Sequence, residues 1–166
     1  LVADTNVQDF PSPERLVKVS KSCVRVARLF GFDPKVAFLS HSTFGKPISK
    51  NTKHVREAIE KLKKEKVDFD FDGEMQPDVA LNPIYQEIYP FSKIVGNANI
   101  LIMPALHSAA ISTKLMKVFG GGKLIGPLLI GLGQPIEVAP LRASTSEILN
   151  LASIASFSSD IIDYNN

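Results

Sequence analysis

A single cysteine cannot close an internal disulfide, and Cys23 sits in an amphipathic helical pattern that suits a buried structural thiol. Cysteine so scarce fits a reducing, cytoplasmic setting. No apolar run approaches the roughly 20 residues that span a bilayer, and no basic, apolar and small-residue targeting segment opens the chain, so no membrane partner is expected. Charge of one sign is missing too. Lysine plus arginine number 19 against 17 aspartates and glutamates, a net +2 that sets up no strong field toward nucleic acid. The basic cluster "EKLKKEK" reads as a solvated helix face. Three histidines occur, His41, His54 and His107, and no pair has metal-ligand spacing such as i, i+4, so no metal site is expected. No G-x-G-x-x-G follows a strand. "FGGGK" lacks the spacing of a phosphate loop and falls where glycine stops a helix.

What is present suffices for about one domain: 166 residues, 45% of them hydrophobic. Repeats, low-complexity tracts and long linkers are absent. The first residue is Leu1, and "LVAD" reads as the end of a buried strand already under way, which predicts a piece of a longer protein.

Short apolar β-type runs alternate with longer helical patterns. Residues 1–4 form a strand stub. "PSPERLVKVSKSCVRVARLFG" is a helix with Leu16, Val19, Cys23, Val26 and Leu29 at helical spacing and Gly31 as its stop. Lys35–Ser40 is a buried strand, and "SKNTKHVREAIEKLKKEK" a helix with one wet face. "DFDFDG" alternates, placing Asp68, Asp70 and Asp72 on a polar face. A short helix follows over Pro83–Ile88, then the strand "ANILIMP" and the helix "ALHSAAISTKLMKVFGGG". "KLIGPLLIG" reads as a strand broken at Gly126-Pro127. The last helix opens at the capping-box pattern "STSE" and covers about 144–158. Alternation of this kind predicts an α/β fold with a mostly parallel sheet covered on both faces.

Ligands of such sheets sit at the carboxyl ends of strands, which nominates Asp4–Asn6, Ser40–Gly45, Asp72–Glu74, Pro104–Ser108 and Gly131–Ser144. In "LSHSTFGKP", Ser40, Ser42 and Thr43 converge with turn N–H groups where a phosphate or carboxylate would sit. Asp72 and Glu74 are either a carboxylate pair for acid–base work or a polar strand end.

The motifs "VADTNVQ", "KVAFLSHSTFG", "VREAIE", "DFDGEMQPDVAL", "ANILIMPAL" and "IGPLLIGLGQPIEV" resemble, in order and spacing, the later half of the phosphate acetyltransferase (phosphotransacetylase) family. The resemblance runs over nearly all of residues 1–166. Within the family, "DGEMQPDVAL" and "LSHSTFG" look most like the phosphotransacetylase-like C-terminal region of bacterial multifunctional NADP-dependent malic enzymes. It implies a three-layer α/β/α fold with a mostly parallel sheet, like that of isocitrate dehydrogenases, and a dimer built largely on this half.

That family transfers an acetyl group between coenzyme A and phosphate. The resemblance places its serine on Pro140, its phosphate-gripping arginine on Leu141 and its catalytic aspartate on Glu147. Proline has no hydroxyl, and leucine cannot replace a guanidinium fork. A second site is thinned alike: after "ANILIMP" the family carries an aspartate and asparagines, where this chain has Ala105, His107, Ala109 and Ala110.

The resemblance therefore implies a regulatory, acyl-CoA-sensing and oligomerising domain following the N-terminal malic enzyme module of its own chain, with acetyl-CoA as effector. The parent would oxidise and decarboxylate malate to pyruvate with NADP and a divalent metal, Mg or Mn, bound outside this segment. Two alternatives stand beside it: an active transferase using Glu147 as base and Arg142 as phosphate ligand, and a dimerisation module with no ligand. Expected ligand contacts are Ser42, Thr43, Arg142, Ser144 and Glu147, with Lys114, Lys117 and Lys123 as candidates for a coenzyme A phosphate.

Overall fold

A computed structural model describes residues 1–120 and 123–162. The chain divides into two compact units, Leu1–Lys114 and Leu115–Asn166. In the first, strands β1 (Val2–Ala3), β2 (Lys35–Leu39), β3 (Asp70–Met75) and β4 (Ile100–Ile102) pair in the order β1-β4-β2-β3. Every pairing is parallel. Parallel neighbours require crossovers, supplied here by helices α1 (Pro13–Leu29) and α2 (Lys53–Glu65).

Alternation along β2 divides the core. Val36 and Phe38 join Leu16 and Ala27 of α1 and Val55, Ile59 and Leu62 of α2 on one face. Ala37 and Leu39 face the other way, packing with Met75, Ala80, Ile94, Met103 and Ala109. The second face is covered by helix α3 (Pro77–Leu81) and by the start of α4 (Leu106–Phe119). This is the expected α/β/α layering.

Local chemistry sets the helix ends. Ser12 caps α1, its Oγ accepting from the Arg15 N–H at 3.2 Å, and Pro13 needs no donor at the first position. Gly31, at φ +76°, ends the helix as the sequence predicted. The stripe of α1 falls slightly off the expected one. Leu16, Val17, Ser20, Cys23, Val24 and Ala27 are buried, whereas Val19, Val26 and Leu29 are half-buried. Small Ser20 and Ala27 let the backbone approach the sheet, and the Ser20 hydroxyl is satisfied by the Val17 carbonyl at 2.8 Å.

Three further expectations change. Asp72 is buried, not on an exposed face with Asp70, because its two oxygens accept the N–H groups of Gly73 (2.9 Å) and Lys93 (2.8 Å). In place of one helix over Pro83–Ile88, the chain makes α3 and then a 3-10 turn, Pro83–Gln86. Pro83 forces Asn82 into an extended conformation that breaks the helix, and Asn82 Oδ1 then caps the turn by accepting the Ile84 N–H.

The third concerns the second unit. Its described residues between Lys123 and Ser144 contain no strand, so "KLIGPLLIG" is not one. Gly126 takes φ +129°, Pro127 has no N–H to give, and the Leu129 N–H donates to the Glu137 carboxylate at 3.2 Å instead of a neighbouring strand. Gly121 and Gly122 lie outside the described residues. Helix α5 (Thr145–Ile162) starts where expected and runs four residues beyond the expected 158. Among the described side chains of this unit, Leu151 alone is buried.

Candidate functional site

The carboxyl ends of β2 and β3 hold a closed polar network. Glu74, 1% exposed, accepts from the Ser42 hydroxyl at 2.7 Å and from Arg56 Nη1 at 3.1 Å. Arg56 reaches down from the first turn of α2, where it also donates to Thr52 Oγ1 (2.7 Å) and the Ser49 carbonyl (3.1 Å). Ser42 is fully buried and lies 3.4 Å from Ser40 Oγ. Thr43 accepts the Gln76 N–H on its hydroxyl at 3.2 Å, and its main chain pairs with Lys46. Asp72 and Glu74 therefore have separate partners and do not face one another as an acid and a base.

A buried carboxylate in a strand requires donors and a counter-charge. That requirement was readable in Glu74, but Arg56, eighteen residues earlier, carried no local sign of being the answer. Arg56 and Gln76, whose side chain donates to the His41 carbonyl at 2.7 Å, are the residues sequence reasoning missed here.

The histidines divide by environment. His41 is exposed, and so is His107 in the first turn of α4. His54 is buried against Phe10, ring centroids 4.3 Å apart, with Nε2 2.9 Å from the Pro104 carbonyl. Among the described residues no three His, Cys, Asp or Glu side chains are grouped to hold a metal.

In the second unit, the Pro140 carbonyl accepts the Ala143 N–H at 2.9 Å, closing a tight turn with Leu141 and Arg142 at its tip. Leu141 is fully exposed and Arg142 exposed. Ser144 then opens α5 with the expected reciprocal box. Its N–H and hydroxyl both donate to Glu147 Oε2, at 2.8 and 2.9 Å, and its Oγ accepts the Glu147 N–H at 3.3 Å. These bonds hold the Glu147 carboxyl below its ordinary value, led by the Ser144 N–H, then its hydroxyl, with Lys117 and Lys123 adding attraction. Lys117 Nζ lies 3.8 Å from Glu147 Oε1.

A cavity of about 290 Å³ opens beside this helix start. Lys117, Lys123, Pro140, Ser144 and Glu147 stand in its wall, with Leu124, Ile125 and Leu151 supplying apolar surface. Of the expected contacts, the fold thus gathers Ser144, Glu147, Lys117 and Lys123 around one space. Arg142 and Lys114 are not in its wall, and Ser42 and Thr43 belong to the first unit.

The sequence profile of the phosphate acetyl/butaryl transferases matches residues 1–156. The chain belongs to that family. The phosphate acetyl/butaryl transferase fold is visible in solved relatives: a phosphotransacetylase from Streptococcus pyogenes superposes with a TM-score of 0.89 at 33% identity, over 95% of this chain and 48% of that one. The EutD phosphotransacetylase from Staphylococcus aureus gives 0.85 at 31% identity, over 95% and 49%. In sequence, the chain is 46% identical to a segment of the NADP-dependent malic enzyme of Rhizobium meliloti (strain 1021), over 95% of this chain and 21% of the enzyme. It is 35% identical to the phosphate acetyltransferase of Clostridium acetobutylicum, over 93% of this chain and 47% of the enzyme. The chain therefore spans about half the length of the phosphate acetyltransferases it matches and about one fifth of the malic enzymes.

Proposed function

We propose that this chain is a regulatory, acyl-CoA-sensing and oligomerising segment of a cytoplasmic NADP-dependent malic enzyme, a phosphate acetyltransferase fold without its transfer chemistry. One observation carries the proposal. The turn on which the family resemblance places a serine and an arginine has Pro140 at its start and a fully exposed Leu141 at its tip. A single preorganised donor contributes about 10² to 10³ in rate, and here two are gone. Glu147, at the aspartate position, spends its carboxylate on the helix cap and sits below its ordinary value, which weakens it as a base. The 46% identity to a malic enzyme supports the parentage, in which the preceding module performs the oxidative decarboxylation of malate with NADP and Mg or Mn. The sequence has no G-x-G-x-x-G fingerprint, and among the described residues no three His, Cys, Asp or Glu side chains are grouped, so both sites are proposed to lie in that other module.

Acetyl-CoA acts as the effector by binding two global states unequally, with a coupling of about 1–3 kcal/mol. Ser144, Glu147, Lys117 and Lys123 are its contacts beside α5; Lys114, Arg142, Ser42 and Thr43 do not line that cavity. Exposed Val118, Phe119, Ile148 and Leu149 favour burial against a second copy of the chain. Acetyl phosphate turnover by the complete protein tests the loss of chemistry. A rate typical of the family, with Arg142 gripping phosphate from one residue along the turn, makes the chain an active transferase instead. Because Ser42 and Thr43 are committed internally, a dimerisation module without ligand remains the second reading. Calorimetry with acetyl-CoA separates it: heat of binding supports the sensor, and none supports the module.

A further inference from the structure

Residues 123–138 carry the sequence of a strand without its surroundings. Residues 128–132, "LLIGL", are apolar at almost every position, the pattern of a strand covered on both faces of a parallel sheet. Pro127 and Pro135 each stand just ahead of an apolar or alternating run, where a missing N–H costs no ladder bond. Yet among the described residues no main-chain N–H from 123 to 142 donates to a main-chain carbonyl, and the Leu129 N–H turns to the Glu137 carboxylate. Polarity is inverted as well. Leu124, Ile125, Ile130, Leu132, Ile136 and Val138 are exposed, while Glu137 is half-buried and its carboxyl is pushed up by loss of hydration. The unit that holds this run supplies no cover of its own. Leu151 alone is buried among its described side chains, and a unit of about 50 residues is marginal by itself.

We infer that residues 128–132 are a docking strand, added to a sheet supplied by the segment that precedes Leu1 in the longer chain. The chain covers 47% of the phosphate acetyltransferase of Clostridium acetobutylicum and 48% of the Streptococcus pyogenes phosphotransacetylase, so as much chain again is available to lie against this run. Because the motifs present resemble the later half of the family, that length stands before Leu1. A sheet edge answers both deficits at once: its main chain pairs the idle N–H and carbonyl groups, and its layers cover the apolar side chains. A helix laid on the run would answer only the second. Pairing with the same run of a second copy fills one edge and leaves the other open. A segment of the same chain also pays only for loop closure, whereas a copy gives up its free translation and rotation.

The inference rests on the reading that the chain is part of a longer protein and uses nothing of the acyl-CoA assignment. The test is hydrogen exchange followed by mass spectrometry on the complete natural protein and on residues 1–166 alone, with circular dichroism to show that both are folded. In the complete protein the amides of 128–132 should exchange about a hundredfold more slowly than in the shorter chain, because a paired strand must open first. Dilution, or the Val118→Lys/Phe119→Lys double variant, should leave that protection unchanged. Ile130→Pro should abolish it and lower the urea midpoint of the complete protein. The same change should leave the midpoint of residues 1–166 where it was, since the Ile130 N–H has no main-chain partner there. Fast exchange of 128–132 in the complete protein overturns the inference, whatever the shorter chain does. Protection that falls on dilution assigns the run to a second copy and overturns it too. Protection equally strong in residues 1–166 alone means that the run pairs within this chain, with the same consequence. A natural polypeptide no longer than 166 residues removes the parentage and the inference together. A longer one with fast exchange removes the inference and leaves the parentage standing.

Discussion

Glu74 is anchored by a partner that reaches the surface. Its carboxylate is 1% exposed, while the Arg56 side chain is 36% exposed and ties it to the Ser49–Thr52 turn. Removing one member of such a pair strands the other without compensation. Arg56→Met should lower stability by about 3 kcal/mol in urea unfolding, and adding Glu74→Gln should restore part of the loss. A second residue gives a pH signature. Burial pushes the Cys23 thiol from an ordinary 9.0 up to about 11. In the unfolded chain the thiol ionises first, so the stabilising effect of keeping it protonated is complete below pH 9.0 and fades as pH climbs toward about 11. The loss should reach roughly 2–3 kcal/mol by the upper value, and Cys23→Ala should flatten the dependence.

At the scale of elements, two termini decide much of the geometry. The cap of α5 depends on an ionised Glu147, whose carboxyl is held below 4.5 chiefly by the Ser144 N–H. Its contribution is present above pH 4.5 and disappears as pH falls through the lowered value. Amide exchange in residues 145–148 should therefore accelerate in acid. Glu147→Gln should keep the box but lose this pH dependence, and Ser144→Ala should fray the turn at every pH. The bend inside β3 depends on Gly73. A Cβ there would lie 2.7 Å from the Phe38 carbonyl oxygen, and φ is +145°. Gly73→Ala should cost about 2–3 kcal/mol and loosen the β2–β3 pairing, seen as faster exchange of the Leu39 amide.

For the molecule as a whole, the first unit has two packed core faces, whereas the described part of the second buries only Leu151. Phe119, at 79% exposed, and Val118, at 74%, stand out on α4 beside exposed Leu115. Apolar surface of this extent is what the proposed contact with a second copy would cover. Sedimentation of the wild-type chain should give a species larger than a monomer. Val118→Lys/Phe119→Lys should shift it toward the monomer without loss of helix signal.

The alternation of strand and helix, the caps at Ser12 and Ser144, the stop at Gly31 and the parallel sheet were legible in the residues alone, because they follow from spacing and short-range hydrogen bonds. The family resemblance read from the same letters places a serine and an arginine on Pro140 and Leu141, and the proposal of lost transfer chemistry rests on that placement. Long-range packing settled that Asp72 lies inside, that Glu74 belongs to Arg56 and Ser42, and that, among the described residues, 123–131 form no strand. Those outcomes depend on which groups distant segments bring within about 3 Å, and a hydrogen bond across dozens of residues leaves no periodic trace in either partner.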